Sequence, residues 1–258
     1  MLMFPNIDPV LIQLGPVAIH WYGVMYLLVF GSALWLGNRR AAMHGFSKDQ
    51  VSDLIFFGAV GVVLGGRLGY VLFYQFEAFL AQPSLLIRVW DGGMSFHGGL
   101  IGVIAGVLWF ARKHCFKFYQ VMDFVAPIVP IGLGAGRLGN FIGGELWGRP
   151  TDLPWGMVFP HVDTLARHPS QLYQLALEGV LLFALVWVYS AKTRPALRVS
   201  GLFLLGYGAQ RMLVEFARQP DAHLNFVAFD WMTQGQLLSL PMVALGVYLL
   251  LRKVPIPN

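Results

Sequence analysis

Four side chains in this 258-residue sequence have the chemistry to handle a phosphoester: Arg67, Arg137, Arg211 and His97. A guanidinium is planar and presents paired N–H donors that match two phosphate oxygens, so several together point to a phosphate-bearing ligand. An imidazole accepts a proton near neutral pH. His97 stands in Gly92-Gly93-Met94-Ser95-Phe96-His97-Gly98-Gly99, where four glycines leave room around it. Glu145 and Glu215 can pair with the arginines; the competing reading is that these are structural ion pairs or snorkelling side chains. Arg67 and Arg137 also occupy matching words, Gly65-Gly66-Arg67-Leu68-Gly69-Tyr70 and Ala135-Gly136-Arg137-Leu138-Gly139-Asn140. One such pair fits an internal duplication as well as two solutions to one problem.

Other chemistries are poorly supplied. The single cysteine, Cys115, excludes an intramolecular disulfide and a cysteine-based metal cluster. The seven histidines show no ligand spacing, although His20, His97, His161 and His168 fall on one side of the chain's predicted topology; no metal and no cofactor is expected. No Walker loop, nucleophile elbow or dinucleotide fingerprint stands in its required context.

The elements that must carry these residues are apolar. Hydrophobic residues make up 57% of the chain and charged residues only 12%, about half the charge of an ordinary soluble domain. The sequence therefore predicts an all-α polytopic membrane protein, a single transmembrane domain over 1–258. About seven spans are expected, at 18–37, 52–75, 96–111, 121–137, 171–190, 201–217 and 235–251. The third and fourth are short and glycine-rich, which leaves either of them open to being tilted, broken or partly re-entrant. No cleavable leader is expected, because Asp8 and no basic residue precedes the first apolar run.

Lysine and arginine set the orientation. Eleven of the 18 fall in the loops after spans one, three and five and in the tail, against four in the opposite loops. This places the N-terminus outside, the C-terminus in the cytoplasm and Cys115 in a cytoplasmic loop, away from outer-face chemistry. It also explains the net charge of +5 without nucleic acid. At about 1.5 Å rise per residue, Arg67 and Arg137 lie some 22–24 Å up from the inner face, near the outer headgroups. Arg211 falls nearer mid-depth, with Glu215 a turn above; His97, His20 and Tyr22 open their spans from the outside. Ionisable groups inside a bilayer are costly, so this convergence is a functional signal. A transporter or flippase for an anionic lipid or solute would also use intramembrane arginines and glycine-broken helices; against it, the inner halves of the spans are nearly bare of charge.

The words themselves carry a resemblance. Gly136-Arg137-Leu138-Gly139-Asn140-Phe141-Ile142-Gly143-Gly144-Glu145-Leu146-Trp147-Gly148 is similar to the signature of the prolipoprotein diacylglyceryl transferase family. His20-Trp21-Tyr22-Gly23, Asp91 to Gly99, Arg167-His168-Pro169-Ser170-Gln171-Leu172-Tyr173 and Val214-Glu215-Phe216-Ala217-Arg218-Gln219-Pro220-Asp221 resemble its other blocks, in order, from about residue 15 to 250. The family usually has asparagine where this chain has Gly143.

The resemblance implies a multi-pass enzyme of the bacterial inner membrane, active at the periplasmic leaflet. It would move the diacylglyceryl group of phosphatidylglycerol, a membrane lipid, onto the lipobox cysteine of a prolipoprotein signal peptide. A thioether forms and glycerol 1-phosphate leaves; the substrate brings the sulfur. Carried over by position, His97 corresponds to the family's proposed base, and Tyr22, Arg137, Asn140, Glu145, Gly148, Arg211 and Glu215 to positions important there. The expected roles are phosphate stabilisation by Arg137 and Arg211, bracing of these arginines by Glu145 and Glu215, and a hydroxyl hydrogen bond from Tyr22. Asn140 would orient glycerol or phosphate oxygens, Gly148 would permit a tight turn, and Arg67 would add to substrate binding. Loop 138–170 is long enough to form a small periplasmic cap, or else is a variable ornament. The Pro9–Val17 segment is expected either to lie amphipathically along the interface or to be a simple lead-in.

Overall fold

Each of the seven stretches read as apolar spans is helical in the computed structural model, which describes residues 2–15, 17–220, 227, 229 and 231–253. Three of these helices are long and apolar enough to cross a bilayer: Lys48–Tyr74, Ser170–Tyr189 and Gln234–Leu251. A fourth crossing is complete if the bent pair Phe118–Val125 and Val129–Ile142 counts as one span. That pair realises the expected break in the fourth stretch, with a 49° bend. Its cause is local: Pro127 and Pro130 bracket the joint, and a proline removes one backbone donor and disfavours helix in the residue before it. Asp221 and Pro16, which belong to segments singled out above, lie outside the described residues.

The chain divides into two compact units, the first made of Met1–Ser32 and Met122–Asn258 and the second of Ala33–Val121. The first opens with β1 (Leu2–Met3), followed by β2 (Val10–Leu14) and β3 (Val17–His20). β2 and β3 pair antiparallel, Leu14 opposite Val17, around Gly15, whose φ of 59° suits a residue without Cβ. The segment expected to be a lead-in or interfacial element is thus half of a hairpin. Its Ile12, Leu14 and Ile19 are exposed. Helix α1 (Trp21–Arg40) follows directly, and starts three residues later than the apolar run because β3 takes the residues before it.

In the same unit lie α5 (Phe118–Val125, from Met122 onward) and α6 (Val129–Ile142). Between α6 and the next helix come β4 (Met157–Val158) and β5 (Ala166–Arg167). β4 pairs parallel with β1 and antiparallel with β5, so loop 138–170 folds as a small sheet with the N-terminal strand as its third member. Phe4, Met157 and Phe159 form its buried core, with Phe141, Trp147 and Val162 packed around them. Helices α7 (Ser170–Tyr189), α8 (Arg198–Glu215) and α9 (Gln234–Leu251) complete the unit. Thr233 caps α9, its side chain accepting from Gln236 N. Asp123 fixes the start of α8 by accepting from Leu197 N and Ser200 N.

Polarity runs opposite to that of a water-soluble protein. Ser170, Gln171, Gln174, Glu178, Glu215 and Gln236 are wholly or almost wholly buried, while Leu27, Phe73, Val188 and Leu251 are more than two-thirds exposed. Large apolar side chains on the outside and hydrogen-bonded polar groups inside are what a hydrocarbon solvent selects.

The second unit is organised by α2 (Lys48–Tyr74) and α4 (Phe96–Lys113), with the short α3 (Phe76–Ala81) between them in sequence. Facing glycines bring α2 and α4 together backbone to backbone: a Cβ on Gly102 would lie 3.0 Å from Gly65 Cα and closer still to the Gly61 carbonyl. Small residues at such crossings give the close van der Waals packing that holds helices together in lipid. Gly102→Val is expected to lower the thermal unfolding midpoint in detergent, by the about 1–3 kcal/mol that overpacking costs. Gly31→Ala, at a position with open space around the added carbon, should leave the midpoint unchanged or raise it.

Candidate active site

Three helices of the first unit bring the buried charges together. Gly134 on α6 lies against Gly179 on α7, where a Cβ on Gly179 would stand 2.8 Å from Gly134 Cα. The contact sits one turn from Arg137 and one residue from Glu178. Here α7 widens into a π-helical stretch, Leu175–Leu181, a departure frequent at functional sites. Glu178, fully buried in that stretch, lies between two arginines: Arg137 Nε is 3.9 Å from Oε2 and Arg211 Nη1 is 3.8 Å from Oε1. These are ion-pair distances, too long for hydrogen bonds. Gln174, one turn back on α7, donates to Glu178 Oε1 at 3.3 Å.

Arg211 and Glu215 lie one turn apart on α8 and make a closer pair, 2.6 Å between Nη2 and Oε1. The same oxygen takes Arg218 Nη1 at 3.2 Å, and the other accepts from Thr233 Oγ1 at 2.7 Å. One threonine thus caps α9 and satisfies a buried carboxylate. Among the described residues, Arg137, Arg211 and Arg218 thus share the carboxylates of Glu178 and Glu215. Glu178 Oε2 and Arg211 Nη1 are buried and make no hydrogen bond among the described residues.

The turn after α6 supplies the next layer. Asn140 Nδ2 is 3.4 Å from Glu145 Oε2, and Gln171 donates to the Glu145 carbonyl. Tyr22, half-exposed, lays its ring against Gly139, one residue before Asn140, and meets Tyr26 edge-on at 5.4 Å. Gly148 N donates to the His168 carbonyl at 2.9 Å, and Gly148 pairs with Arg218 in an antiparallel bridge. A Cβ on Gly148 would lie 2.6 Å from the His168 carbonyl oxygen, so close approach of three backbones, rather than a turn, demands the glycine. Arg167 clamps the sheet over 138–170: its guanidinium lies 4.4 Å over Trp147, donates to Gly148 O at 3.2 Å and pairs with Asp163. That pairing holds the Asp163 carboxyl below the usual carboxylate range. Burial, then the Arg149 charge, hold the His168 imidazole below its ordinary value.

In the second unit, His97 is exposed on the first turn of α4, behind the cap Ser95, whose Oγ accepts from Gly98 N at 3.2 Å. Arg67 is 3% exposed, and its described partners are main-chain carbonyls of Leu85, Leu86, Gly92 and Gly93.

Arg137, Arg211 and Glu215 therefore meet in one network, as their types and depths led one to expect. The brace shared by both arginines is Glu178, however, and the carboxylate of Glu145 turns to Asn140 instead. Arg218 and Thr233 join the network too, and Tyr207, one turn before Arg211, lies within electrostatic range of Glu178 and both arginines. Glu178 had a signal: a lone carboxylate in an apolar run from Leu175 to Tyr189.

A mostly helical protein with apolar flanks and a buried arginine–carboxylate cluster belongs to the class of membrane proteins. Residues 9–252 match the family profile of prolipoprotein diacylglyceryl transferase. The chain is 57% identical over 254 residues to the phosphatidylglycerol–prolipoprotein diacylglyceryl transferase of Marinomonas sp. (strain MWYL1), covering 97% of this chain and 94% of the relative. It is 58% identical to the protein of that name from Ectopseudomonas mendocina (strain ymp), with 97% and 95% covered. For the one from Legionella pneumophila (strain Lens) the figures are 57% identity, 96% and 98%. The chain belongs to the prolipoprotein diacylglyceryl transferase family.

His168 and Asp163 are expected to make the sheet over 138–170 sensitive to pH. A lowered histidine pKa stabilises the fold fully above the unfolded value, about 6.5, and that contribution is lost as pH falls through the folded value. Asp163 acts in the same sense at lower pH, below about 3.9. Amide-exchange protection across residues 147–168, corrected for intrinsic rates, should therefore be flat from pH 8 to 7 and decline below pH 6.5. His168→Gln should abolish that first decline.

Proposed function

We propose that the arginine–carboxylate cluster of the first unit grips the phosphoester of phosphatidylglycerol while His97 takes the proton of the incoming thiol. The overall reaction is that of the family: the chain is a membrane transferase that uses phosphatidylglycerol and prolipoprotein, not a transporter. The single observation that supports this division of labour is the convergence of Arg137 and Arg211 on Glu178 at 3.9 and 3.8 Å, near enough for ion pairing and too far for hydrogen bonds, which leaves donors for a phosphodiester.

A thiol, with pKa near 8.5 in the free state, is a poor nucleophile until it loses its proton. His97 accepts it, and the thiolate of the lipobox cysteine attacks the glycerol carbon that bears the phosphate. The C–S bond forms as the C–O bond breaks, and glycerol 1-phosphate leaves. Negative charge builds on the departing oxygen, where Arg137 and Arg211 stabilise it; donors aimed at developing charge in a water-poor site contribute about 2.7–4 kcal/mol each. Glu178 and Glu215 hold the two guanidiniums. Asn140 orients the glycerol or phosphate oxygens, with Glu145 fixing its amide. Tyr22 supplies a hydroxyl, and Gly148 lets the cap approach Arg218.

The same reading extends to topology. Seven spans cross the bacterial inner membrane with the N-terminus in the periplasm and the C-terminus in the cytoplasm. The sheet over 138–170, with β1, is a periplasmic cap beside the signal peptide. The loop bias of lysine and arginine and the helical state of all seven stretches support this.

Purified protein incubated with phosphatidylglycerol and a lipobox peptide should yield a peptide heavier by one diacylglyceryl group in mass spectrometry. Folded protein that leaves the peptide mass unchanged would refute the assignment. In the same assay His97→Gln should keep lipid binding and lose about 10²-fold or more in turnover. Arg137→Lys, which keeps the charge and loses the fork, should also be slow; unchanged turnover would move the phosphate grip elsewhere.

A further inference from the structure

Arg67 resembles Arg137 in its sequence word but not in its surroundings. All three of its guanidinium nitrogens are engaged by the second unit's own backbone. Nη1 donates to the carbonyls of Gly92 and Gly93, Nη2 to Leu85, and Nε to Leu86 at 3.4 Å. A guanidinium has five N–H donors and grips phosphate with a parallel pair along one edge; here every edge already faces a carbonyl.

The four carbonyls belong to two separated stretches. Leu85 and Leu86 close the 3-10 turn Pro83–Leu86, and Gly92 and Gly93 follow the turn Val89–Asp91. One side chain of α2 therefore ties both halves of the segment before α4 to the helix. The tie continues through the same word: Ser95 N donates to Gly66 O at 2.9 Å, and Ser95 Oγ caps α4. Gly93, at φ 78°, has the Tyr70 ring where a Cβ would stand, 2.8 Å from Cδ1. Arg67 itself lies 5.7 Å from the centre of that ring. His97 is two residues beyond Ser95.

We infer that Arg67 is a positioning residue for His97, holding the loop 92–95 and with it the first turn of α4, and is not a phosphate ligand. This rests on the reading of His97 as the thiol's base. Lysine cannot replace it: an ammonium on a flexible stem offers three donors from one point, whereas the four carbonyls are spread around a plane.

The test is a double-mutant cycle in the mass-spectrometric assay. Arg67→Lys should lower kcat by about 10-fold or more with KM for phosphatidylglycerol unchanged within 2-fold. In a His97→Gln background the same change should cost nothing further, because the group it positions is gone. The defect should also shrink at pH above about 8.5, where the peptide thiol ionises unaided. A raised KM with the loss undiminished beside His97→Gln would overturn the inference and make Arg67 a direct substrate contact. Full activity of His97→Gln alone would instead overturn the reading of the base, a separate outcome. Gly93→Ala, which leaves the guanidinium in place but pushes the loop off Tyr70, serves if Arg67→Lys fails to fold. It should show the same kcat loss at constant KM and the same silence beside His97→Gln, and a KM effect would count against the proposal.

Discussion

Burying Glu178 between Arg137 and Arg211 is the constraint on which the first unit is built. A charge inside a membrane protein costs several kcal/mol unless it is paired and hydrogen-bonded, so each neighbouring element has a part in offsetting it. The Gly134–Gly179 contact brings α6 to α7, and the π-helical stretch of α7 carries the carboxylate. Glu215 pairs with Arg211 and Arg218, and Thr233 draws the start of α9 onto Glu215. The 3.8–3.9 Å separations around Glu178 are loose: its charge holds the guanidiniums near without consuming their donors. A cluster whose arginines are held at ion-pair distance, with donors uncommitted, can exchange part of its pairing for a phosphodiester.

The two matching arginine words show how far context decides a residue's role. Both place Arg-Leu-Gly in a glycine-rich helix. Arg137 meets a carboxylate from another helix, whereas Arg67 meets the carbonyls of the loop that follows its own helix and a short turn. The first arrangement keeps charge and donors available; the second spends the donors on holding backbone. Shared letters set the helix and the small neighbours, and tertiary packing decides what each guanidinium touches.

Much of the architecture was legible because membrane periodicity is a strong signal. The seven apolar stretches all fold as helices, and the break in the fourth falls at Pro127. The hairpin and the strands of the sheet over 138–170 were not legible: β1, β4 and β5 are two residues long, too short for alternation to show, and β1 finds its partner about 150 positions away. At the site, residue type and depth were enough to bring Arg137, Arg211 and Glu215 together. They misplaced the brace, because Glu145 is near Arg137 in sequence while Glu178 reaches it only through helix packing. Gly148 likewise looked like a turn residue, and its need for glycine comes from Ala217 and His168, which no local reading supplies.

In the proposed mechanism the Arg137–Arg211 cluster, and not the apolar helix surface alone, selects an anionic phosphoester lipid. Equilibrium binding of phosphatidylglycerol and of phosphatidylethanolamine to the folded protein in detergent measures this directly. The Arg137→Gln, Arg211→Gln double variant should lose about 10–100-fold in affinity for phosphatidylglycerol, the worth of one or two charge-assisted hydrogen bonds, and most of its preference over the zwitterionic lipid. A folded double variant that binds phosphatidylglycerol as tightly and as selectively as the unaltered protein would contradict the account.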